Sequence, residues 1–298
     1  MSVHNLELAP EATLALCTSL ALVCLVLYEW GSGKYRAGKK TKVDWQMFAL
    51  SATGVALVEQ PLIGRASRSF VEHWAGLSGW DLSQLEASHL GWLVAGFIAI
   101  DELLHGWAHL FTHSPPPRNR LLARVHAYYR EAHRAHHLVG GVEGHGEVSV
   151  TQSIVAGWGW MLALPNYWLG ALALSFGLVE TWVWGMLFKN LWGMHVHTNW
   201  GYDVALLNHR WRWVRTAMRG LCHVLTFPNQ HHHHHERGRN STKNMQNVLA
   251  LYDWLLWGTL VVEKEMPVAY GWKQRPEERR ALVRYFQRPL RVPRRASG

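Results

Sequence analysis

Residues 12–28 read ATLALCTSLALVCLVLY, 17 positions without a charge. A bilayer-crossing helix needs about 20 mostly apolar residues, within a range of about 17–25. Inside lipid the backbone must satisfy its own hydrogen bonds, so such a segment has to be helical. Further candidates come later in the chain. Leu90–Phe111 is apolar at its start and then carries Asp101, Glu102, His105 and His109. Tyr167–Phe188 holds one charge, Glu180, and is long enough to cross; Trp45–Ile63 is weakened by Glu59. Val150–Leu164 is short and is expected to form a tight hairpin with 167–188, turning at PNYW. The expected fold is an all-α integral membrane protein with about 4–5 hydrophobic helices.

The mean hydropathy of −0.10 hides these runs, because it averages them with basic, His-rich sequence at 113–147 and 189–298. Residues 1–11 contain no Lys or Arg, so 12–28 is expected to be an uncleaved span rather than a signal peptide. Lys and Arg near span ends mark the cytoplasmic side. KYRAGKKTK at 34–42 is therefore expected inside. The 64–86 loop, with two Arg against three acids, is expected outside, and Arg118, Arg120, Arg124, Arg130 and Arg134 inside. This places the N-terminus outside and every His cluster in a cytoplasmic helical cap. The natural division is a two-span region at 1–87, a His-rich region at 88–271 and a basic, solvated tail at 272–298. Cys17, Cys24 and Cys222 form no CxxC pair and suggest neither a disulfide framework nor a zinc-thiolate site.

The chain holds 20 His, and their spacing carries the chemistry. Helical residues at i, i+3 and i+4 share a face. HRAHH supplies His133, His136 and His137 at that spacing. The run HHHHH at 231–235 conceals the same pattern as His231, His234 and His235, with His232 and His233 expected to point away as bystanders. His109 and His113 are four apart, and His105 extends their stripe by one turn. Imidazole is the commonest metal-binding side chain. Eight or more His suit two metal ions of about four to five nitrogen ligands each, more than one tetrahedral zinc would use. Ring nitrogens alone admit iron, zinc, copper or nickel.

Taken together, the boxes HxxxH, HxxHH and HxxHH on a multi-span chain resemble the fatty acid hydroxylase / sterol desaturase superfamily. Glu102 stands seven positions before His109, as an acid does in that family. YREAHRAHH resembles its second box, His197-Thr198-Asn199 its isolated H-[ST]-N, and FPNQHHHHH its third box. KNMQNVLALYDWLLWGT at 243–259 and MPVAYG at 266–271 are similar to the family's segments beyond the third box. The resemblance covers roughly 100–271. Met245 and Gln246 depart from the usual Tyr-Gly, the gap between the first two boxes is long, and about a dozen extra residues around Leu206–Arg219 precede the third box.

The resemblance implies a non-haem centre of two iron ions. It would use O2 to hydroxylate or desaturate a C–H bond of a lipid-like substrate, such as a fatty acyl chain or sterol, as in lipid biosynthesis. It adds His197 to the ligands, leaves His105 and His145 as extra ones, and makes Asp101, Glu102, Asn199 and Asp253 candidates to orient the free N–H of a ligand ring. No HPGG cytochrome motif is present, so the electron donor is expected to be a separate ferredoxin or cytochrome b5; nucleic acid is not an expected partner. The competing reading is a His-rich membrane metal transporter or metal buffer, which expects loosely spaced His in a disordered loop. Zinc hydrolysis is a third reading, but HExxH is missing.

Overall fold

The computed structural model describes residues 10–35, 39–138 and 146–286. Helix α1 spans Pro10–Gly31. Helix α2, Lys42–Gly54, starts on a Thr41 cap that exchanges hydrogen bonds with Asp44. It continues through a π-helical turn at Val55–Glu59 into α3, Gln60–Ser78. Helix α4 is Ser83–His113. The stretches Ala12–Gly31, Lys42–Trp74 and Ser83–His113 are each long and apolar enough to cross a membrane. On α1, Leu16, Leu20, Val23 and Leu27 repeat at helical spacing and stay exposed, as suits a lipid-facing stripe.

Then come α5, Arg120–His137, capped by Asn119; α6, Trp160–Ala163; α7, Pro165–Ser175; and α8, Val179–Val196. The remaining helices are α9, Tyr202–Leu207; α10, Arg212–Val224; α11, Pro228–His234; α12, Ala250–Tyr252, which runs into a π turn at Asp253–Trp257; and α13, Ala281–Phe286. Among the described residues there is no strand, only an isolated bridge between Glu236 and Tyr270. Helix α8 packs on α1 and α4, and α7 packs on α3 and α4. Leu14, Phe97, Ala173 and Met186 form their shared core.

Three expectations about the apolar segments are corrected. The 64–86 stretch is not a loop, because α3 runs on to Ser78. Tyr167–Phe188 is not one span: it breaks at Gly177, whose φ of 76° suits glycine and closes α7. There Gly177 N–H donates to Leu174 O at 3.0 Å and Leu178 N–H to Ala173 O at 3.0 Å. The Val150–Leu164 half of the expected hairpin is a 3₁₀ turn at Val150–Ser153, an irregular stretch and short α6, and PNYW starts α7 with Pro165 in its first turn.

The acids inside the apolar helices explain how this irregular backbone is tolerated. Buried backbone N–H groups must find acceptors. Glu29 accepts from Val150 N at 3.1 Å and Asn199 N at 3.3 Å. Glu59 accepts from Gly159 N at 3.1 Å and Met161 N at 3.2 Å. Glu86 caps the start of α8 through Thr181 N at 2.7 Å. Glu102 accepts from Asn247 N, Val248 N and Leu249 N at 3.1, 2.6 and 3.1 Å. Glu29, Glu59 and Glu102 thus hold irregular stretches against the helical bundle, and Glu86 fixes the start of α8.

The expectation of a solvated tail from 272 onward is also corrected for its described part. Glu278, Arg284 and Tyr285 are buried, and α13 packs on α2. Arg134 pairs with Glu278 at 2.6 Å, and Arg284 with Asp44 at 3.4 Å. Residues 287–298 lie outside the described residues.

Candidate metal centre

Four helix ends converge. The last turn of α4 supplies His109 and His113, and the last turns of α5 supply His133, His136 and His137. His197 closes α8. Helix α11 supplies His231 and His234, and His235 caps it. The N-terminal amides of α11 are satisfied from outside and within: Asn229 N–H donates to Asp203 at 2.7 Å, and Phe227 N–H to the Gln230 side chain at 3.0 Å.

The nine rings fall into two groups. His109, His113, His133, His137 and His234 form one, and His136, His197, His231 and His235 the other; within each, one ligand atom per residue lies within 4.8 Å of all the others. Every histidine named from the sequence as metal-ligating, His197 included, is in one of them. In the first group, His133 Nε2 lies 2.9 Å from both His109 Nε2 and His137 Nε2. In the second, His231 Nε2 is 2.9 Å from His197 Nε2 and 3.1 Å from His235 Nε2, while His197 Nε2 is 3.4 Å from His136 Nε2. Metal–nitrogen bonds of about 2.0–2.1 Å would set neighbouring ligand nitrogens about 3.0–3.4 Å apart, close to this spacing. The groups abut, with His137 stacked on His235 at 4.5 Å between ring centroids.

Backbone carbonyls fix four of the rings. His109 Nδ1 bonds Met245 O at 2.6 Å, His136 Nδ1 bonds Val155 O at 3.0 Å, His197 Nδ1 bonds Gly193 O at 2.6 Å, and His234 Nδ1 bonds Lys243 O at 2.9 Å. A carbonyl can only accept, so Nδ1 carries the proton and Nε2 keeps its lone pair for the centre. His133 and His137 are held by stacking instead, on Trp160 at 4.7 Å and Trp272 at 4.6 Å. The Nε2 atoms of His113 and His234 are buried without a hydrogen-bond partner. Burial first, and mutual repulsion second, hold His133, His137, His231 and His235 well below the ordinary imidazole value, and burial lowers His136 to about 4. Neutral lone pairs aimed at one point suit a cation. The residues therefore fit two metal ions bound through nitrogen, a set that does not select among iron, zinc, copper and nickel.

The other histidines lie elsewhere. His105 sits 5.5 Å from His109 by ring centroid but belongs to neither group. His195 bonds Tyr202 Oη at 2.6 Å, His209 packs on Trp211 and His223 on Trp254. His145 lies outside the described residues. His232 and His233 belong to neither group, yet they are not idle. His232 is fully buried, with Nδ1 3.3 Å from Tyr270 Oη. His233 bonds Glu236 at 2.7 Å and Glu265 O at 2.9 Å, so both tie α11 to the 263–271 segment.

Asn199 and the acids proposed to orient ring N–H groups make other contacts. Asn199 donates to Glu147 at 2.5 Å rather than touching a ring, and its own N–H goes to Glu29. Asp253 accepts from Met245 N at 2.8 Å and Gln246 N at 3.0 Å. With Glu102, it holds the 245–249 loop that presents Met245 O to His109. Asp101 pairs with Lys189, which also lies 3.2 Å from Glu102.

Sequence reasoning missed Trp160, Trp272, Lys189 and the four carbonyls. Every residue carries a carbonyl, so type and spacing give no signal for them. Beside the first group lies a vestibule whose lining includes His113, Arg130, Arg134, Arg237, Trp272 and Lys273 and one acid, Glu236, so that cations predominate. Arg130 and Arg134 sit over the Trp272 ring at 5.1 and 5.9 Å. No family model, curated protein or solved structure matches the chain.

Proposed function

We propose that this chain is a membrane oxygenase of the fatty acid hydroxylase / sterol desaturase type, using O2 to hydroxylate or desaturate a C–H bond of a lipid-like substrate. The observation that carries the reading is the division of nine buried, interlocked histidines into adjacent groups of five and four at the ends of apolar helices. A metal-buffering loop has no need to bury its ligands or to anchor them by Nδ1 to the backbone. The two groups would hold two iron ions, and such a pair, when bound, supplies the redox chemistry that activates O2.

The residues of the chain have their own tasks in this reading. Met245, Val155, Gly193 and Lys243 hold ring protons through their carbonyls and so fix which nitrogen faces the centre. Trp160 and Trp272 cover ring faces and exclude water. The boxes face the cytoplasm, as the Lys and Arg distribution implies. The α1, α2–α3 and α4 spans and the α7–α8 hairpin carry the remaining helices as a cap. Each turnover needs electrons from a separate donor of ferredoxin or cytochrome b5 type. The vestibule at Arg130, Arg134, Arg237 and Lys273 suits an acidic one, with Trp272 between it and His137.

Mass spectrometry of lipids from cells with and without the chain tests the reading. The expected result is a species heavier by one oxygen atom, or lighter by two hydrogens, that vanishes in the His136→Ala variant. Identical lipid profiles would overturn it.

A further inference from the structure

The segment after the third box runs back along the side of α4. Glu102 gathers the N–H groups of Asn247, Val248 and Leu249. Tyr252 Oη donates to Ala99 O at 2.9 Å. At Gly106 the approach is so close that an added Cβ would stand 2.4 Å from the Trp257 ring. Ala99 and Gly106 lie well before the end of α4 at His113, by about 10–20 Å at 1.5 Å per residue. With α4 across a bilayer, residues 247–257 therefore lie at membrane depth. Irregular backbone is tolerated there only when protein groups satisfy it, which is what Glu102 does. Trp254, Leu255 and Leu256 nevertheless point outward, 49 %, 59 % and 58 % exposed.

Helix α10 continues this surface. Its His223 ring meets Trp254 at 4.9 Å. One face buries Met218 and Cys222 against Leu207 and Phe227. An adjoining face exposes Trp213, Ala217, Leu221 and Val224, a second apolar stripe at helical spacing. The helix contains no acid, and Arg212 and Arg219 are exposed on its polar side, across the helix from the stripe. Its 13 residues span only about 20 Å, too short to cross a core of about 30 Å.

We infer that α10 and the Trp254–Leu256 turn lie in the plane of an anionic leaflet, with the apolar stripe in the acyl boundary and Arg212 and Arg219 on lipid phosphates. A basic helix with an aromatic apolar face binds such a surface, and the neighbouring turn is already at acyl depth. The same contact sets the height of the third box. Leu225–Phe227 joins α10 to α11 directly, and Thr226 O accepts from Trp192 Nε1 of α8 at 2.9 Å. The inference goes beyond the oxygenase reading and uses neither metal nor activity.

The test places nitroxide labels on the full chain in lipid nanodiscs, in a Cys17→Ser/Cys24→Ser background. The labelled variants are Trp213→Cys, Leu221→Cys, Thr216→Cys and, as a span control, Leu20→Cys. Accessibility to oxygen is compared with accessibility to a water-soluble nickel chelate, in phosphatidylcholine discs and in discs containing phosphatidylglycerol. In the anionic discs, positions 213 and 221 should show an oxygen-to-nickel ratio several-fold above that at 216. Arg212→Gln/Arg219→Gln should bring that ratio down to its phosphatidylcholine value. Labels at 213 and 221 open to nickel would overturn the inference, as would labels shielded from both reagents, the mark of a protein partner or second copy. Indifference to phosphatidylglycerol would also overturn it. Nickel access at Leu20 as well would overturn the membrane placement itself.

Discussion

His136 and His137 are neighbours in the chain and belong to different histidine groups. Their ring centroids are 5.7 Å apart and their planes stand at 85°. The third box repeats the division, with His234 in one group and His235 in the other. In both boxes the i, i+4 pair, His133/His137 or His231/His235, serves one group, and the residue at i+3 serves the other. One turn of helix thus reaches two sites, and two such turns facing each other lock the sites together.

This division makes the two neighbours separable by mutation. His136→Ala removes one of four ligands from its group, and His137→Ala one of five from the other. Each variant is expected to lose metal from one group and retain it in the other, as counted by elemental analysis. His232→Ala is expected to keep both metals and to lose about 1–3 kcal/mol of stability, because a buried partner of Tyr270 disappears. Equal metal loss in all three variants would contradict the assignment.

Glu102→Ala tests the loop. It strands three backbone N–H groups and removes one of the two carboxylates facing Lys189. Breaking such a buried arrangement costs on the order of 3–5 kcal/mol. The Met245 carbonyl should shift, and metal should leave the group containing His109 while the group containing His197 keeps its own. Thermal unfolding and metal counting on the same sample check both parts.

Acid should destabilise the metal-free protein. His133, His137, His231 and His235 are held well below the ordinary imidazole value by burial and by one another, and His136 is lowered to about 4 by burial. The unfolded chain takes up protons near pH 6.5, and the folded rings refuse them until lower pH. Stability is thus intact above about pH 6.5 and is lost as pH falls through the folded values. Unfolding midpoints of metal-stripped protein should drop steadily from about pH 7 to 4; a level or rising midpoint would contradict this.

Charge reversal at the vestibule tests donor docking. Arg130→Glu/Lys273→Glu alters two exposed cations beside Trp272. The KM for an acidic donor should rise roughly tenfold and lose most of its salt dependence, with metal content unchanged. An unchanged KM would place the donor elsewhere.

The clustered histidines were legible because side chains that converge on one point from a helix must recur at a fixed spacing, which gives the repeated i, i+3, i+4 pattern. His231, His234 and His235 could be picked from a run of five only because HRAHH displays the same pattern openly. The first long apolar helix was legible from its length and lack of charge. The α7–α8 break was not, because Gly177 is one small residue in an apolar run and its meaning depends on a positive φ. Glu59 counted against a span by composition, yet it is buried and satisfied by backbone of 159–161, a contact 100 residues away. Asn199 and the carbonyls at 155, 193, 243 and 245 show the same limit: which groups meet a ring depends on tertiary placement.

Whether the two histidine groups hold two iron ions is read from the metal content of the full chain, purified in mild detergent after growth in iron-replete medium. Two tightly held iron atoms per chain, resistant to a mild chelator, are expected. A chain that retains no iron and carries only exchangeable zinc would contradict the account.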